Sequence, residues 1–100
     1  MSDYRLWGRV IRRHRIVLNE TVPVEDGDIE AALVELCRLF DIPRPLQLPK
    51  HARDMEAFGR TFYAPEHFME AVPFQRLEIE LLAPEGERAG HAPRSPLSDA

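Results

Sequence analysis

YRLWGRVIRRHRIVLNETVPV, residues 4–24, decides the fold. The stretch is dense in β-branched and aromatic side chains: Tyr4, Trp7, Val10, Ile11, Ile16, Val17, Thr21, Val22 and Val24. Such side chains suit a pleated, half-buried surface better than a helix. They predict two strands, about 4–12 and 15–23, joined by a tight turn at Arg13-His14. Two features resist that reading. A two-residue hairpin turn favours Asn-Gly or its like, and Arg-His is neither. The period-two alternation also breaks, because Val10-Ile11 and Ile16-Val17-Leu18 place apolar groups on both faces. The competing reading is a basic amphipathic helix over residues 3–14, with Tyr4, Trp7, Ile11 and His14 along one stripe. Gly8 weakens such a helix, so the hairpin is preferred.

Beyond the hairpin the pattern changes period. Ile29, Leu33, Leu36 and Phe40 recur at helical spacing, which predicts a helix over about 27–41 with one apolar face. Asp26 or Asp28 can cap its start, and Ile42 before Pro43 ends it. Three prolines in residues 43–49 predict a stiff connector. A short helix over 50–58 follows, stopped by Gly59, then a strand over 60–63 and a turn at 64–66. Residues 67–72 read as a weak strand. Leu77, Ile79 and Leu81 alternate with Arg76, Glu78 and Glu80, which predicts a strand with one buried and one acidic, solvated face. The expected class is α+β: a mostly antiparallel sheet with one long amphipathic helix and one short helix, in the order ββα, α, β(β)β.

One hundred residues suit one domain, expected over 1–83. Residues 84–100 hold no aromatic and Leu97 as their one large apolar group, so a disordered tail is expected there. No apolar run reaches the length of a signal peptide or a membrane span, and the one cysteine, Cys37, excludes an internal disulfide. A soluble protein in a reducing, cytoplasmic setting is the expectation, with no membrane partner. So short a chain buries a modest core, which makes a homodimer a natural source of added stability.

The net charge is −4, yet it is unevenly spread. Arg5, Arg9, Arg12, Arg13 and Arg15 face one acid, Asp3, in the first fifteen residues. Residues 20–41 then hold seven acids and one base, Arg38. If the basic hairpin met nucleic acid, Arg9, Arg12, Arg13 and Arg15 would contact phosphates and Trp7 would stack on a base. The acidic balance of the whole chain counts against this, and a lone Trp beside a glycine more often packs into a core. Arginines that protect an exposed strand edge are the plainer account.

Two further groupings carry chemistry in principle. His51, Asp54 and His67 are residue types that hold a first-row metal or perform acid–base catalysis. Their spacing matches no diagnostic metal motif, and polar helix faces contain such residues routinely. Arg60, Phe62, Tyr63 and Phe68 concentrate aromatics in one short segment, either as the second half of the core or as a partner surface. Cys37 borders the helix stripe and reads as a core residue. The five glycines are isolated, so no phosphate-cradling loop is present and no cofactor is expected. The expected function is that of a small interaction or accessory protein with a protein partner or self-association. The alternatives are nucleic-acid binding through the hairpin and metal-dependent or acid–base catalysis through His51, Asp54 and His67.

Overall fold

The computed structural model describes residues 4–84, and the expected tail lies outside them apart from Pro84. Strands β1 (Arg5–Arg12) and β2 (Arg15–Pro23) form the hairpin, followed by helices α1 (Ile29–Phe40) and α2 (Pro49–Phe58). Strand β3 (Arg60–Tyr63), a single turn of 3-10 helix at Pro65–His67, and strand β4 (Arg76–Leu82) complete the order. The four strands make one antiparallel sheet in the order β2-β1-β4-β3.

The hairpin turn forms despite its residues. Arg13 and His14 both adopt left-handed backbone, φ 54° and 63°, which a two-residue turn needs to match the twist of its strands. The turn is held from outside: the His14 N–H donates to the Gln75 side chain, and the Gln75 N–H donates to the Ile11 carbonyl. The broken alternation also has a local cause. Pairing passes from Val10↔Leu18 to Ile11↔Ile16, which leaves Val17 as the extra residue of a bulge on β2.

Alternation sorts the sheet into two faces. Leu6, Gly8 and Val10 of β1 lie beside Leu77, Ile79, Val22 and Tyr63 on the face that α1 covers. Leu33, Leu36, Cys37 and Phe40 of α1 close this core. Asp28 caps the helix by accepting from the Ala31 N–H, and Asp41 ends it in left-handed backbone. Trp7 falls on the opposite, helix-free face and is no part of the core cluster, which corrects the packing expected of a lone Trp. Residues 67–72 form no strand. Phe68 makes one isolated bridge with Pro45, beside which the Leu46 N–H donates to the His67 carbonyl, while Pro43 and Pro45 have no N–H to extend it into a ladder.

Candidate functional site

The helix-free face of the sheet is a network of charges. Arg9 points from β1 between Glu78 and Glu80 of β4, with Nε 3.0 Å from Glu78 and Nη1 3.4 Å from Glu80. Its guanidinium lies 4.1 Å from the centre of the Trp7 ring. Arg76 reaches the same Glu78 at 2.6 Å and lies 5.7 Å from the centre of the Phe62 ring. Arg9 and Trp7 are therefore engaged within the sheet, with the Arg9 side chain only 12% exposed. Arg12, Arg13 and Arg15 stand apart at the hairpin tip, exposed and with no ion pair among the described residues. The proposed phosphate-contacting set is thus split between a bonded pair and three open cations.

His51 and His67 do meet. Their rings are edge to face with centroids 4.8 Å apart, and the His51 ring lies 4.2 Å from that of Tyr63. Each opens a helix by the same device. Leu48-Pro49-Lys50-His51 and Ala64-Pro65-Glu66-His67 both place proline at the first helical position, where its missing N–H costs nothing. The histidine Nδ1 then accepts from the N–H of the residue before the proline, at 3.1 Å from Leu48 and 2.9 Å from Ala64. The x-Pro-x-His pattern, used twice, is the local sequence signal that marks both histidines.

That device decides the tautomer. A backbone N–H can only donate, so each neutral ring carries its proton on Nε2. Metal-binding histidines show the reverse arrangement, with the second nitrogen donating outward and the ligating nitrogen unprotonated. Asp54, the third residue of the set, accepts from the Thr61 hydroxyl at 2.8 Å. No group of three or more His, Cys, Asp or Glu comes together to hold a metal among the described residues. His51 is buried, and among the described residues its Nε2 has no partner in hydrogen-bond geometry. Burial first, then the nearby His67 and Lys50, push its pKa below the ordinary value, while Asp54 and the Phe62 backbone pull the other way.

The aromatic segment is likewise divided. Tyr63 and Phe68 are buried, so they cannot belong to a partner surface as the sequence allowed. Phe68 packs edge to face on Phe74 at 5.3 Å, and the Tyr63 hydroxyl donates to Gln47 Oε1 at 3.1 Å. Burial pushes the Tyr63 phenol up to about 12. Phe62 and Arg60 remain exposed, as does Phe58, beside a shallow cleft of about 390 Å³ at the β3 edge. Cys37 is core, as expected, and burial raises its thiol to about 11, leaving it protonated and inert at neutral pH.

Two features remain that no structural role absorbs. One is a larger cleft, about 480 Å³, between α1 and α2, with His51 and Tyr63 in its wall. The other is the outer margin of β2, where Ile16, Val17 and Leu18 are 54%, 49% and 42% exposed. Comparison with protein-family models, curated proteins and solved structures finds no match to this chain.

Proposed function

We propose that the domain is a self-associating interaction module in which the β2 margins of two copies pack side by side in antiparallel sense. The observation that carries this reading is the run Ile16-Val17-Leu18, three consecutive aliphatic side chains left open on an edge strand. Contiguous apolar surface on a small domain marks an interaction site. The bulge at Val17 kinks the strand, so the contact is made by side chains rather than by an extended ladder.

Charge selects the second copy and its direction. The strand starts in a basic tip, Arg12, Arg13 and Arg15, and runs out through Glu20 towards Glu25, Asp26 and Asp28. Antiparallel packing sets the basic end of each copy against the acidic end of the other, whereas parallel packing opposes like charges. A two-fold axis satisfies both ends at once.

Light scattering coupled to gel filtration, from micromolar to millimolar protein, tests this. The wild type should be a dimer in that range and the variant V17K/L18K a monomer with an unchanged circular dichroism spectrum. A wild type that stays monomeric throughout overturns the reading. If it is monomeric and instead forms a saturable, salt-sensitive complex with single-stranded RNA that R12A/R13A loses, the basic tip is a nucleic-acid contact.

A further inference from the structure

The cleft between α1 and α2 lies at the opposite end of the sheet from β2, over β3 and β4. Its apolar walls come from Leu33 of α1, Met55 of α2 and Ile79 of β4. Concave, mostly apolar sites of this size with a few convergent polar groups are where small ligands bind. The charged carboxylates here have one sign. Glu30 of α1 and Glu56 of α2 line the cleft from either helix, and among the described residues no lysine or arginine lines it. Tyr63 and Gln47 line the same cleft, and the Tyr63 hydroxyl, which donates to Gln47, keeps lone pairs on its oxygen.

We propose that this cleft binds a small primary amine with an apolar body, its ammonium held between the Glu30 and Glu56 carboxylates and its body against Leu33, Met55 and Ile79. An ammonium supplies three donors and a positive charge, which two carboxylates and a phenolic oxygen accept. An anion would meet two like charges and no cation in the lining. The buried His51 ring, stacked on Tyr63, fixes the back of the site through its bond to the Leu48 N–H. Glu30 acts on the Tyr63 phenol in the expected sense, raising it together with burial. This site is independent of the β2 margin, so either proposal can fail without the other.

The probe is phenethylamine, titrated into 15N-labelled protein, with phenylacetate as its counterpart of opposite charge and similar shape. Phenethylamine should give saturable amide shifts clustered on α1, α2, β3, β4 around Ile79 and the connector around Gln47, with a dissociation constant on the order of 1 mM for so small a ligand. Phenylacetate should bind at least about tenfold more weakly, as should phenethylamine to E30Q/E56Q. A second variant, A52W, places an indole in the cleft from an exposed helix position and should abolish the shifts while melting like the wild type. Absence of saturation, equal affinity for both probes, or undiminished binding to either folded variant overturns the proposal.

Discussion

A methyl group at Gly8 would lie 2.9 Å from Leu36 Cδ1, closer than side-chain atoms pack. Gly8 sits in the middle of β1 on the face that α1 covers, and Leu36 is the wholly buried centre of the α1 stripe. The missing side chain is what lets the helix approach the strand at this point. The same added methyl would also stand 3.2 Å from Phe40.

This contact sets up a cycle of substitutions. Gly8→Ala should cost about 1–3 kcal/mol through overpacking. Leu36→Ala should cost about 2–5 kcal/mol through the cavity it leaves. In the double variant the alanine methyl enters that cavity, so the two costs should fall short of additive by about 1 kcal/mol or more. Urea denaturation of all four proteins measures the coupling, and strict additivity would show that the two residues do not share this space.

The hairpin turn invites improvement. Arg13 and His14 both hold left-handed backbone, which costs an ordinary residue about 1–2 kcal/mol. The variant R13N/H14G should raise stability by about 1 kcal/mol net, since glycine loses more chain entropy on folding. The backbone N–H of residue 14 still reaches Gln75. The urea midpoint should rise without a change in slope, and a fall would mean that the side chains of Arg13 and His14 support the turn.

The basic residues should separate by role. Arg9→Gln leaves Glu78 and Glu80 facing each other on β4 and uncovers Trp7, so it should cost about 1–2 kcal/mol and redden the tryptophan emission. Arg12→Gln removes an exposed cation with no ion pair among the described residues and should stay within about 0.5 kcal/mol. Equal effects of the two substitutions on stability would contradict the network.

Acid should weaken the fold through His51. Its pKa is lowered in the folded protein, so the unfolded chain binds the extra proton as pH falls through the ordinary histidine value of about 6.5. The stability contributed by the neutral ring is whole above that pH and declines below it, towards the folded pKa. Lys50 and His67 add to this shift and Asp54 opposes it. His51→Asn keeps an acceptor for the Leu48 N–H and should flatten the decline of stability between about pH 7 and pH 5. An unchanged pH profile in that variant would assign the decline to other groups.

Local pattern carried much of the architecture. The α1 stripe and the alternation of β4 each repeat over several turns or residue pairs, and both elements stand where their periodicity puts them. The hairpin was legible in composition although its turn chemistry and alternation argued against it. Tertiary bonds from Gln75 override the first, and the Val17 bulge explains the second. The weak strand over residues 67–72 failed for the opposite reason. Strand-like composition is not enough where the neighbouring segment is proline-rich and supports only a single bridge.

What the sequence by itself determined is the order of the two helices and four strands and the apolar faces of α1 and β4, because these depend on contacts a few residues apart. Which polar residues have partners was decided only by tertiary structure. Arg9 belongs to acids 69 and 71 positions away, so its charge could not be told from that of Arg12 by inspecting the hairpin. His51 and His67 each announce a helix start locally, yet their edge-to-face contact exists only because β3 folds back between them. The α1–α2 cleft is formed from four elements and a connector, and Tyr63 lines it from β3, in a segment that composition assigned to the core ahead of a partner surface. Pairing of this kind depends on closing long loops, and no local period records which loops close.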